Sequence, residues 1–186
     1  MDVAKRLGGE CYSIPKLMKE GQFEFEDKKL GIVFPTYNLG VPKIVEKFLN
    51  KANLKSKYIF GIATYGAFSG AVSRHLFKTG KGTEYIKKHT IIMNGMRLIS
   101  RKLFNNEFDK NFSVDNNCNG CKTCERVCPV DNIKVKNKPI FNNNCQQCMA
   151  CIHNCPKRAI CVKKEKDKTR FINQNITLKE IIDSNI

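Results

Sequence analysis

Apolar and polar positions follow more than one rhythm along this chain. Near the start, Val3, Ala4 and Leu7 fall on one helical face, and Gly8-Gly9 closes the turn. Residues 10–14 read as a short strand carrying Cys11 as a small buried hydrophobe, and residues 15–29 as a polar connection. Leu30 to Phe34 is a continuous apolar run closed by Pro35, the pattern of a buried parallel strand. The loop Thr36-Tyr37-Asn38-Leu39-Gly40 comes next, and Pro42 opens a helix whose apolar face is Val41, Ile44, Val45, Phe48 and Leu49. Tyr58 to Ala63 is a second apolar strand, followed by Thr64-Tyr65-Gly66 and a helix through about Phe77. Strand, loop, helix, strand, loop, helix predicts a parallel α/β sheet. Ligands of such sheets bind beyond the carboxyl ends of the strands, where Tyr37 and Tyr65 both fall. Farther on, Tyr85 to Met93 reads as a last strand and Arg97 to Phe104 as a short basic helix. An Asn- and charge-rich linker over 105–111 separates this domain, residues 1–104, from the rest of the chain.

From residue 112 the pattern is set by cysteine. The chain reads CNGCKTCERVCP from Cys118 and CQQCMACIHNCP from Cys145, each block C-x2-C-x2-C-x3-C-P, at an offset of 27 residues. The register extends past the cysteines: Asn116-Asn117 maps to Asn143-Asn144, Ile133 to Ile160 and Val135 to Val162. This is an internal duplication, and one half alone has no partner to cover its apolar face. After Cys161 the run KKEKDKTR reads as solvated charge and leads into a charged tail over 166–186. Thr177, with Glu180 three residues on, caps a short final helix.

Composition narrows the setting. A length of 186 residues allows one or two domains, and 41% hydrophobic content supports a folded core. No apolar run reaches 18 residues, and MDVAKRLGGECYS lacks the apolar centre of a signal peptide. The expectation is a cytoplasmic protein with no membrane span, in which ten cysteines mean metal rather than disulfides. The formal charge of +16 counts thiols as neutral. Each oxidised four-thiolate cluster carries about −2 overall, so two would remove about four positive units. A basic surface steers acidic partners. The lysines are spread without a basic-aromatic stripe, and no finger, helix-turn-helix or stacking pattern occurs, so no nucleic-acid partner is expected. His75, His89 and His153 are isolated in sequence, and no Ser/His/Asp or Cys/His constellation accompanies them. His153 sits between Cys151 and Cys155, where a hydrogen bond from it would tune a metal centre.

Three thiolates at i, i+3 and i+6 fit one tight loop around a compact cluster, and the fourth ligand must come from elsewhere. In the two-cluster arrangement the fourth Cys of each block ligates the other cluster. One [4Fe–4S] centre is therefore assigned Cys118, Cys121, Cys124 and Cys155, and the other Cys145, Cys148, Cys151 and Cys128. Zinc sites usually draw on two separated pairs, which these triplets do not supply. The stretch resembles bacterial two-cluster ferredoxins over residues 112–165. That resemblance implies two [4Fe–4S] clusters in a pseudo-symmetric fold of two short hairpins and two short helices, moving one electron at a time.

The order FPTYNLGVPKIVEKFL, then IFGIATYGAFSGA, resembles flavodoxin–ferredoxin fusion proteins, in which an FMN-binding flavodoxin-like domain precedes a two-cluster ferredoxin. The resemblance covers most of residues 3–80 and implies Thr36, Tyr37, Asn38, Gly40, Thr64, Tyr65 and Gly66 as flavin-side positions. That family opens with a strand and a Ser/Thr- and Gly-rich loop that cradles the FMN phosphate. Here the sequence begins at Met1-Asp2-Val3-Ala4-Lys5, inside the helix that should follow that loop. The expectation is a truncated flavodoxin-like domain that binds FMN weakly or not at all. Three functions compete for these residues: an electron carrier, an FMN-dependent oxidoreductase and a basic nucleic-acid binder. The residues favour the electron carrier, serving a redox partner with an acidic surface.

Overall fold

Two long parallel strands frame the first of two units into which the chain divides, Leu17–Asn105; the second joins Met1–Lys16 to Asn106–Ile186. The structure is a computed structural model that describes residues 2–37, 40–64, 108–163 and 165–185. The helix expected after Gly66, the strand Tyr85 to Met93 and the helix Arg97 to Phe104 lie outside the described residues.

In the sheet unit, β1 (Glu24–Pro35) pairs in parallel with β2 (Asn53–Thr64), in register from Glu24 opposite Asn53 to Pro35 opposite Thr64. The helix α3 (Lys43–Lys51) lies between them in sequence, so the three form one βαβ step. Ile32 and Phe34 of β1 are buried, as are Val41 and, on α3, Val45, Phe48 and Leu49. Full burial of each large apolar side chain stabilises by about 1.5–3 kcal/mol. The Phe48 ring meets Phe25 at 5.9 Å and Phe23 at 6.3 Å, and the Lys51 ammonium stands 5.2 Å over Phe23. Gly31 lies opposite Phe60, and a Cβ there would meet that ring at 2.5 Å, so only glycine lets the ring lie across β1.

Both strands start earlier than their apolar runs. Residues 15–29, read as connection, hold α2 (Ile14–Glu20) and the first half of β1. Glu24 to Lys29 expose most of their side chains and pair through the backbone, so their composition carries no buried-strand signal. Residues 10–14 are not a strand: α2 begins at Ile14, Pro15 falls in its first turn, and Cys11 is exposed rather than buried. Pro42 precedes α3 as its N-cap instead of standing within the first turn.

The cysteine unit begins with α1 (Asp2–Arg6), which ends at Gly8 in the left-handed region, φ 68°. Its main body contains a 3₁₀ turn (Phe108–Asn111), β3 (Phe112–Val114), α4 (Thr123–Arg126), β4 (Ile133–Val135), β5 (Pro139–Phe141), α5 (Ala150–His153) and β6 (Ile160–Val162). β4 pairs with β5, and β3 with β6, both antiparallel. Shifting β3, α4 and β4 by 27 residues gives β5, α5 and β6. The backbone repeats with them: left-handed Gly120, Lys122 and Asp131 map onto left-handed Gln147, Met149 and Arg158. The core between the halves holds Val127, Ile133, Ile152, Ala159 and Ile160, all nearly inaccessible, beside Cys124, Cys128 and Cys151.

The segments expected to be linker and solvated tail pack onto this body. Asp109 of the 3₁₀ turn is buried and accepts from Asn132 Nδ2 at 2.8 Å and from the Asn143 amide at 3.1 Å. Most of the lysines after Cys161 are exposed, but Arg170 is not: its side chain is 3% exposed and ion-paired with Glu165. The last helix, α6 (Leu178–Asp183), carries the expected capping box between Thr177 and Glu180. Glu180 also pairs with Lys5, and the Ser13 hydroxyl donates to the Ser184 carbonyl, so the two chain segments of this unit meet at α6.

Candidate metal centres

Each Cys-rich loop folds around its thiols by two left-handed residues, which turn successive sulfurs inward where an extended or helical run would spread them. In the first loop these are Gly120 (φ 68°) and Lys122 (φ 61°), in the second Gln147 (φ 60°) and Met149 (φ 57°). Gly120 has a further constraint: a Cβ there would come within 3.0 Å of the Asn137 carbonyl oxygen. The short helices α4 and α5 then bury the third cysteine of each block, Cys124 and Cys151.

The eight block cysteines surround two cavities, and each cavity draws on both blocks. Cys118, Cys121, Cys124 and Cys155 line the first, with about 310 Å³ of empty space, beside Val135, Pro139 and Ile160. Cys145, Cys148, Cys151 and Cys128 line the second, with about 330 Å³, beside Phe112, Val130 and Ile133. Both spaces include some open solvent. Among the described residues no three His, Cys, Asp or Glu side chains converge on a single ion. A zinc site would need sulfurs about 2.3 Å from one centre. Rings of four thiols about a larger apolar volume suit a polynuclear iron–sulfur group instead.

Electrostatics point the same way. Burial pushes the Cys124 and Cys145 thiols up to about 11 and Cys148 to about 12, and it raises Cys151 further. Neighbouring thiolates of the same cavity add to the rise at all four. Cys121 is the contrast: the Thr123 hydroxyl, 3.4 Å from its sulfur, holds it below the usual thiol value. Four bare thiolates in such a space would repel one another, and iron held by them would supply the compensating charge. Backbone amides aim at the sulfurs as well. The Asn132 amide donates to Cys128 Sγ, the Ala159 amide to Cys155 Sγ and the Gln147 amide to Cys145 Sγ, each at 3.3 Å. The first two are related by the 27-residue repeat. Such bonds to sulfur tune cluster potentials.

Cys161 and Cys11 belong to neither cavity. His153 turns toward the tail rather than toward a sulfur: its Nδ1 accepts from the Phe171 amide at 3.3 Å, and its ring meets Phe171 at 5.7 Å. Asp109 and Arg170 were missed by sequence reasoning. Asp109 has no acidic counterpart in the repeat, where Lys136 stands 27 residues on, and Arg170 sits among charges that pattern alone assigns to solvent.

Of the flavin-side positions, Asn38, Tyr65 and Gly66 lie outside the described residues. Thr36 and Thr64 stand together at the carboxyl ends of β1 and β2, the Thr36 amide donating to the Thr64 carbonyl at 2.8 Å. Tyr37 and Gly40 exchange backbone hydrogen bonds of 3.1 and 3.0 Å. Among the described residues, Thr36 Oγ1 is buried without a hydrogen-bond partner.

A family model of the 4Fe-4S dicluster domain matches residues 117–160. No curated protein and no solved structure matches the chain. The matched segment is a ferredoxin-type domain, metal-binding through iron–sulfur chemistry and suited to electron transport. No helix among the described residues is long and apolar enough to cross a membrane.

Proposed function

We propose that the cysteine unit holds two [4Fe–4S] clusters and passes single electrons between them and a redox partner. The observation that carries this is the sorting of eight cysteines into two fours, each cavity taking three from one block and the last from the other. Cys118, Cys121, Cys124 and Cys155 would hold one cluster, and Cys145, Cys148, Cys151 and Cys128 the other. The shared core of Val127, Ile133, Ile152 and Ile160 keeps the two sites in one rigid frame. Anaerobic purification with iron and sulfide analysis tests the reading. About eight irons and eight sulfides per chain are expected. About four irons, or zinc, would overturn it.

A second reading, flavin binding by the sheet unit, is favoured by one observation. Thr36 Oγ1 is a buried hydroxyl without a partner among the described residues, at the carboxyl end of a strand in a βαβ step. A flavodoxin-like sheet places its ligand there. Such a unit would couple two-electron chemistry to the clusters. Fluorescence titration with FMN tests it: saturable quenching weakened by Thr36→Val supports this reading, and absence of quenching leaves the carrier alone.

A further inference from the structure

We infer that the first cavity is the electron port of this chain and that its rim takes a one-electron redox partner presenting carboxylates; this rests on the two-cluster reading above. The 27-residue repeat permits a position-by-position comparison of the two sites. Lys122 and Lys157 line the first cavity, and their counterparts Met149 and Val130 line the second. Within one backbone frame, two cations at the first site thus stand where the second has apolar side chains. Both lysines are exposed, and neither makes an ion pair among the described residues. The carboxylates of the flanking segments are already engaged, Asp115 with Lys168 and Glu125 with Lys134.

Access differs in the same direction. Cys121 of the first set is exposed, whereas Cys128 and Cys151 of the second are buried and Cys145 and Cys148 only partly accessible. The second site also has a buried anion behind it. Asp109 bonds Asn132, which lines that cavity, and the Asn143 amide two residues before Cys145. An added electron is stabilised near cations and solvent and destabilised near a buried carboxylate. The first site is therefore the more easily reduced and the more easily reached. A cationic rim raises the encounter rate of an anionic partner and orients it toward the exposed sulfur.

The test uses the full-length holoprotein, with iron and sulfide assayed first. Protein reduced by dithionite is mixed in a stopped-flow instrument with hexacyanoferrate(III), an anion, or hexaamminecobalt(III), a cation. Each encounter moves one electron from the protein to the probe, reducing Fe(III) to Fe(II) or Co(III) to Co(II) without transferring a group to the protein. Lys122→Gln with Lys157→Gln should slow the anionic probe about three- to tenfold at low salt and not slow the cationic one. Lys163→Gln with Lys166→Gln, which removes the same charge from exposed positions of the cysteine unit that line neither cavity, should slow it less than the Lys122 and Lys157 pair does. Gln146→Glu, which puts the charge change of a single Lys→Gln at the second cavity, should do less than Lys122→Gln. Glutamine suits position 122, since Gln147 itself holds a left-handed turn in the second loop. Potentiometric titration followed by electron paramagnetic resonance gives a second readout: the lysine pair should lower the higher midpoint and leave the lower one in place. Equal slowing by the Lys163 and Lys166 pair, a larger effect of Gln146→Glu, or no effect with clusters intact would overturn the port. Wild-type protein lacking iron and sulfide would overturn the two-cluster reading itself.

Discussion

Replacing Glu165 by alanine should destabilise the cysteine unit well beyond what a surface carboxylate contributes. The outer edge of β6 has backbone groups that β3 does not pair. Glu165 Oε2 accepts from the Val162 amide at 3.2 Å, and Arg170 donates to the Ile160 carbonyl at 3.1 Å. The two side chains are bonded to each other, so one ion pair closes both ends of the open edge. Arg170 is 3% exposed and Glu165 22%. Removing the carboxylate leaves a buried guanidinium with only the Ile160 and Thr169 carbonyls as strong acceptors, and an edge amide with none. Breaking a buried pair costs about 3–5 kcal/mol; the partial exposure of Glu165 argues for the low end, about 3 kcal/mol. That is roughly a hundredfold or more in equilibrium constant. Arg170→Met should cost less, about 1–3 kcal/mol, because Glu165 then turns to water. The double variant should fall short of the sum by more than about 1 kcal/mol. Cluster loss makes unfolding irreversible, so the assay is the rate at which the visible band bleaches at fixed temperature. Glu165→Ala should bleach at least tenfold faster, with faster hydrogen exchange at the Val162 amide. A change below about twofold, or additive variants, would show the pair to be a solvent-screened contact and refute the edge cover.

Cys128→Ala should perturb the centre built on Cys145, Cys148 and Cys151, read by magnetic spectroscopy, while Cys161→Ala should leave both centres intact; loss confined to the Cys118–Cys124 loop would contradict the cross-block sets. Gly120→Ala should lower iron content and folding yield through its positive φ and the Asn137 carbonyl, whereas Gln147→Ala, at the equivalent turn, should do so far less. The α6 cap should be insensitive to mild acid. Lys5, then the Thr177 amide and hydroxyl, hold the Glu180 carboxyl down at about 2. A depressed carboxylate contributes above its ordinary range and loses that contribution as pH falls through the folded value. Amide protection across residues 178–183, corrected for intrinsic rates, should hold from pH 7 to about 4.5 and decline only below it, whereas Glu180→Ala should lack protection at pH 7.

An interaction is legible in the sequence only where the side chains themselves carry it. Cysteine spacing is informative because ligation uses the side chain, and the repeat exposed both blocks at once. The apolar face of α3 was legible for a similar reason: Val45, Phe48 and Leu49 recur at helical spacing and are the residues buried. The first half of β1 was not, because Glu24 to Lys29 pair through amides and carbonyls that every residue has. Arg170 was hidden because its partners are a backbone carbonyl and a glutamate inside a charge run. Asp109 was hidden in an Asn-rich stretch that lacks a hydrophobic period, although it anchors two later segments through Asn132 and Asn143.

The duplicated and the unduplicated residues serve different ends. Those that repeat at 27, namely the cysteines, the left-handed turns, Ile133 with Ile160 and the amide bonds to Cys128 and Cys155, define two sites of the same shape. Two sites of identical surroundings would have identical potentials and give an electron no preferred direction. Among the positions that break the repeat, three differ in charge: Lys122 against Met149, Lys157 against Val130, and Asp109 against Lys136. They lie outside the thiol rings, so their charge acts on the sites without altering ligation. A fixed frame with variable charge is also the arrangement in which a change of partner or potential requires few substitutions. Lys122 and Lys157 can be exchanged for glutamine without touching the buried core, whereas Gly120, Ile133 and Ile160 cannot change without disturbing the geometry of both halves.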